Sequence, residues 1–112
     1  MCEQFELALL QKLAYERLGK ALELSVEEYS KLIAGRNMNP VGVVVDFYQD
    51  ERLSVDLKFE SPSGNVSAIL NDEVKIEAMM YIDNNFITAM EYYSIDGVIP
   101  NRIDKYNIIA YH

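Results

Sequence analysis

The chain has 112 residues, 50% of them hydrophobic and 25% charged, which fits one domain over residues 1–112 built on a single core and leaves too little chain for two. Its formal net charge is −8, and a surface of that sign repels nucleic-acid phosphate and anionic lipid alike, so the expected charged partner is a basic protein. A single cysteine, Cys2, and a single histidine, His112, exclude a disulfide framework and a Cys/His metal cluster, and neither a metal nor a cofactor is expected.

Over the first 24 residues, Phe5, Leu9, Leu10, Leu13, Leu18 and Leu22 recur close to helical spacing, with Ala8, Ala14 and Ala21 on the same side. Gln11, Lys12, Glu16, Arg17 and Lys20 fall mostly opposite, the pattern of an amphipathic helix. Ser25-Val26-Glu27-Glu28 then reads as a capping box, in which the Ser25 hydroxyl satisfies an open N–H and Glu28 reaches back to Ser25. Leu24 and Tyr29 stand where a hydrophobic staple would. The second helix is predicted to end near Gly35, because Gly35, Asn37, Asn39 and Pro40 supply a C-cap and helix breakers.

From Val41 the period changes to two. Leu53, Val55, Leu57 and Phe59 alternate with Ser54, Asp56, Lys58 and Glu60, the cleanest half-buried strand in the chain, with Leu57 on its inner side. Val74, Ile76, Ala78, Met80 and Ile82 alternate with Lys75, Glu77, Met79, Tyr81 and Asp83. Asp50-Glu51, Ser61-Pro62-Ser63-Gly64, Asn71-Asp72 and Asp83-Asn84-Asn85 offer turn chemistry between the runs. Strands are therefore predicted over residues 43–48, 53–60, 66–70, 74–82 and 86–93, with a sixth at 107–111. The expected fold is α+β, with two N-terminal helices packed on one face of an antiparallel β-meander of five to six strands.

Nothing in the chain assembles a catalytic constellation. His112 is badly placed for a general base, no Gly-rich phosphate loop occurs, and no serine sits in a nucleophile-elbow pattern. Asp46, Asp56, Glu77 and Glu91 could approach across a sheet as a glycosidase-like pair, but in so acidic a chain solvated surface is the commoner role, and no enzymatic activity is expected. Met79 and Tyr81 fall beside Lys75, Glu77 and Asp83, away from the core of that register. They suit a protein-binding surface, unless the strand is buried on both faces. Glu91 shares one side of its strand with Ile87, Ala89 and Tyr93, and on pattern alone either side can be the inner one.

Residues 86–97, Phe-Ile-Thr-Ala-Met-Glu-Tyr-Tyr-Ser-Ile-Asp-Gly, resemble a strand-turn segment of the small bacterial immunity proteins that accompany contact-dependent growth-inhibition and polymorphic toxins. Glu91, Tyr92, Asp96, Gly97 and Pro100 stand at the matching places. The resemblance implies an immunity function and assigns no individual functional residue.

Charge agrees with it. Residues 1–40 carry six acids against five bases, and residues 41–112 carry twelve against five, so the strand half can present carboxylates to a cationic cleft where phosphates would otherwise sit. The expected function is a cytosolic immunity protein that neutralises a cognate, nuclease-type toxin through Asp56, Glu60, Glu77, Met79, Tyr81, Asp83, Glu91 and Tyr93. The cytosol follows from an N-terminus without a basic signal region and from apolar runs too short to span a bilayer. An acidic secretion chaperone is one alternative. A small-ligand-binding or enzyme domain using a polar, titratable cavity between helices and a curved sheet is the other.

Overall fold

The computed structural model describes residues 3–59 and 65–111; Cys2, Glu60, the Ser61-Pro62-Ser63-Gly64 turn and His112 lie outside the described residues. Helix α1 (Glu3–Leu18) buries Phe5, Leu9, Leu10, Leu13, Ala14 and Leu18, as the spacing predicts, and also Glu6 and Leu7. It ends earlier than the periodicity suggests because Gly19 takes φ +63 and returns its N–H to Tyr15 O at 3.0 Å, a left-handed helix cap. Leu22 and Leu24 reach the core from the extended link beyond it.

Helix α2 (Val26–Leu32) opens on the expected capping box. Glu28 N donates to Ser25 Oγ at 3.1 Å and Ser25 N to Glu28 Oε1 at 2.9 Å, while Leu24 and Tyr29, at the staple positions, are both buried. The helix stops before Gly35. Ile33 is already extended, and residues expected to cap and break a helix form strand β1 (Ile33–Asn39). Pro40 and Val41 turn it into β2 (Gly42–Phe47), with Val41 N donating to Asn39 Oδ1 at 2.9 Å.

The remaining strands are β3 (Asn65–Leu70), β4 (Val74–Asp83), β5 (Phe86–Ser94) and β6 (Tyr106–Tyr111). They complete a six-stranded antiparallel sheet of order β1-β2-β5-β4-β3-β6, so the fold is α+β with the N-terminal helices packed on the sheet. Strands β3, β4 and β5 run as a meander. The order departs from chain sequence at β2, which pairs with β5, and at β6, which returns beside β3. Tight reversals rest on positive φ at Asn71 and Asp72 and at Asn84 and Asn85, the conformation that hairpin turns require and Asn and Asp tolerate.

One expected strand does not form. Residues 53–60 show the clearest alternation in the sequence, yet the described part of the connection from β2 to β3, through residue 59, holds two short 3-10 turns, Glu51–Leu53 and Leu57–Phe59. Local acceptors capture the donors that a strand would offer to a ladder: Arg52 N donates to Asp50 Oδ1 at 2.9 Å, Ser54 N to Glu51 O at 3.1 Å and Lys58 N to Asp56 Oδ1 at 3.0 Å. Among the described residues, the bridge from Ser54 to Phe86 and the bond from Val55 N to Asn85 O at 2.9 Å join the segment to the sheet and its hairpin. Leu53 is fully buried, whereas Leu57 is 45% exposed. Leu53→Ala is accordingly expected to cost about 2–5 kcal/mol and Leu57→Ala less than about 0.5 kcal/mol. Urea unfolding of the two variants checks this, and equal losses would contradict the observed packing.

Candidate functional site

Alternation divides the sheet into two faces. Val43, Val45, Val66, Ala68, Ile76, Met80, Met90 and Tyr92 are buried on the side covered by the helices. Phe5 of α1 meets Tyr92 edge-on, with ring centroids 5.5 Å apart. The opposite, outer face carries Lys75, Glu77, Met79 and Tyr81 from β4, Ala89, Glu91 and Tyr93 from β5, and Val44 and Asp46 from β2.

Register sets the neighbours on this outer face. Glu77 stands opposite Tyr93, Met79 opposite Glu91, and Tyr81 opposite Ala89, while Val44 flanks Glu91 from the other side. Directly opposed residues of an antiparallel pair interact, so five of the expected binding residues, Glu77, Met79, Tyr81, Glu91 and Tyr93, form one contiguous patch. It also resolves which side of β5 is inner: Tyr92 and Met90 face the core, and Glu91 and Tyr93 face out. Met79, Tyr81 and Tyr93 are 41–43% exposed, so the β4 residues are not buried on both faces.

The patch has an internal bond. Tyr81 Oη donates to Glu91 Oε1 at 2.6 Å, which fixes a phenol and a carboxylate side by side on an open surface. That bond to Glu91, reinforced by desolvation and by the carboxylate's charge, pushes the Tyr81 phenol above its ordinary value, because ionisation would break the bond and oppose two negative charges. Tyr81 is expected to titrate above the usual tyrosine range, and Glu91→Gln should bring it back down towards that range. Ultraviolet titration of the two proteins measures it, and identical curves would contradict the bond.

Asp83 keeps the same side of β4 and is exposed at its hairpin end, beyond a register shift between Tyr81 and Ile82. Asp56 sits on the connection between β2 and β3, next to the turn that packs on α1, apart from the outer patch. Asp46, weighed in the sequence only as part of a carboxylate pair, is exposed on this face beside Ala89. The face thus carries Asp46, Glu77, Glu91 and, at its hairpin end, Asp83 against Lys75 among the described strand residues. No group of three or more His, Cys, Asp or Glu side chains there is placed to hold a metal ion.

Sequence reasoning missed a second polar cluster, on the inner face. Glu6 is fully buried and accepts from Tyr92 Oη at 2.7 Å, Tyr29 Oη at 3.0 Å, and Arg36 Nη2 and Nε at 2.6 and 3.2 Å. One carboxylate thereby joins α1, α2, β1 and β5. The available signal was a glutamate between Phe5 and Leu7 in an otherwise apolar run, since carboxylates are rarely buried without partners.

No helix among the described residues is long and apolar enough to cross a membrane. Comparison of the chain with protein-family models, curated proteins and solved structures finds no match.

Proposed function

We propose that the chain is a protein-binding module of the immunity type, which captures a cationic toxin domain of the nuclease class in the cytosol and blocks it by occupying its basic cleft. The observation that carries this reading is the outer patch, in which Met79, Tyr81 and Tyr93 surround Glu91 and Glu77 on an open sheet face. Large amphipathic side chains contribute contact area at a small entropic cost, and neighbouring carboxylates select the charge of what docks. In this reading Glu91 and Glu77 receive the partner's Arg or Lys side chains, Tyr81 and Tyr93 offer ring faces to the same cations, and Asp46 extends the acidic surface over β2. Binding is stoichiometric and no substrate is turned over.

Co-expression with the product of the adjacent upstream gene, followed by size-exclusion chromatography, tests the proposal. A complex that survives the column with the wild-type chain and is lost with Glu91→Lys supports it. Absence of any complex, or a complex indifferent to Glu91→Lys and Tyr81→Ala, would count against it.

A further inference from the structure

The inner face holds a concavity of about 390 Å³ at the end of the sheet where β1 turns into β2. Buried Val43 and Tyr92 form its floor, the β1–β2 hairpin around Pro40 forms one wall, and the segment running through Ile99 to Ile103 forms the other. The walls are tied together by Ile99 N, which donates to Pro40 O at 2.9 Å, and the hairpin is held to the end of β5 by Ser94 N, which donates to Val41 O at 2.7 Å. Behind the second wall, Asn71 Nδ2 donates to Arg102 O at 2.8 Å and Asn71 Oδ1 accepts from Asp104 N, also at 2.8 Å. The concavity is therefore preformed.

Its chemistry is unlike the rest of the molecule. In a chain of net charge −8, no carboxylate, amine or guanidinium lines it. The hydroxyl of Tyr92 is engaged by Glu6, so that residue offers mainly its ring. Among the lining side chains, further polar capacity is confined to the amides of Asn39 and Asn101, and the Asn39 oxygen already accepts from Val41 N. A charged solute would lose its hydration in such a site without compensation. The volume falls within the range of roughly 300–1,000 Å³ typical of small-ligand sites, which pair an apolar lining with a few polar groups.

We infer that this cavity binds an uncharged, mainly apolar small molecule bearing a hydrogen-bond acceptor for the Asn39 or Asn101 amide. The site lies on the helix-covered side of the sheet, opposite the outer patch, so the inference stands independently of the proposed protein partner. Exposed Met38 and Val98 flank its mouth and can be substituted with little risk to the fold.

The test is a fluorescence titration of the full chain with the neutral dye Nile red. Saturable binding of one dye per chain with blue-shifted emission is expected. Val98→Arg and Met38→Glu should each weaken it by about tenfold or more, because they place a charge at an apolar mouth. Tyr15→Ala, at an exposed aromatic on α1, should leave it unchanged, and circular dichroism verifies that each variant is folded. Amide resonances of Val43, Tyr92 and Ile99 should shift with dye in nuclear magnetic resonance spectra. Absence of saturation, or a titration that folded Val98→Arg and Met38→Glu leave unaltered, overturns the inference. So does a protein partner that covers Met38 and Val98 when the dye never saturates, because the cavity would then be an anchor pocket for that partner.

Discussion

Glu6→Ala is expected to destabilise the fold by about 3–5 kcal/mol, the range for breaking a buried ion pair from one side. The substitution takes one acceptor from three residues at once: Arg36 on β1, Tyr29 on α2 and Tyr92 on β5. Glu3 Oε2, 3.7 Å from Arg36 Nη2, softens the loss for the guanidinium but does nothing for the two phenols. A methyl group in place of the fully buried carboxylate also leaves a gap in the packing. The paired replacement Glu6→Leu with Arg36→Met should recover only part of the stability, since it removes the stranded guanidinium but still takes the Glu6 acceptor from the Tyr29 and Tyr92 hydroxyls. Urea unfolding midpoints measure both, and a single-variant loss below about 0.5 kcal/mol would show that the cluster does not hold helices to sheet.

The second large effect is expected at the outer face. Tyr81→Ala should weaken partner binding by about 2 kcal/mol or more, as truncation of a packed aromatic anchor does, a change of roughly 30-fold in affinity. The loss should appear mainly in the dissociation rate. Removing Tyr81 also releases the Glu91 carboxylate from its 2.6 Å bond, so Tyr81→Phe separates the two roles. The phenylalanine keeps the ring and loses the bond. It should retain more affinity than alanine if contact area dominates, and surface plasmon resonance with the three proteins decides between the contributions. Equal dissociation rates for all three would remove Tyr81 from the interface.

What the sequence reveals of this molecule depends on how local the cause is. The Ser25–Glu28 capping box, the alternation through β4 and the Asn84-Asn85 reversal are all written within a few residues, and each appears in the structure where the sequence places it. The sixth strand, β6, is likewise present. Residues 53–60 show the limit of periodicity. Their alternation is real, but Asp50 and Asp56 compete for the backbone donors that a strand would need. The chain must also use this stretch to cross from β2 to β3.

Strand β1 was hidden for a different reason. Gly35, Asn37 and Asn39 are poor strand formers, and what holds them extended is the pairing with β2 and the ion pair from Arg36 to Glu6, thirty positions away. No window along the chain contains that partner. The candidate site was legible in the same uneven way. β4 declared Glu77, Met79 and Tyr81 on one side, but only the pairing of β4 with β5 puts Glu91 and Tyr93 beside them and leaves Asp56 out. The apolar cavity needed residues 38–43 and 92–103 to meet, which only the strand order brings about.

The most direct test of the outer face as a docking surface for a cationic protein is the association rate with the adjacent gene product, measured by stopped flow across a salt series. Steered association should be fast at low salt and slow markedly as ionic strength rises. Glu77→Lys and Glu91→Lys should slow it and flatten its salt dependence. The same reversal at Glu23, exposed in the link between α1 and α2, should change little. A rate indifferent to salt, or one that responds to Glu23→Lys and not to Glu77→Lys or Glu91→Lys, would contradict the assignment of this face.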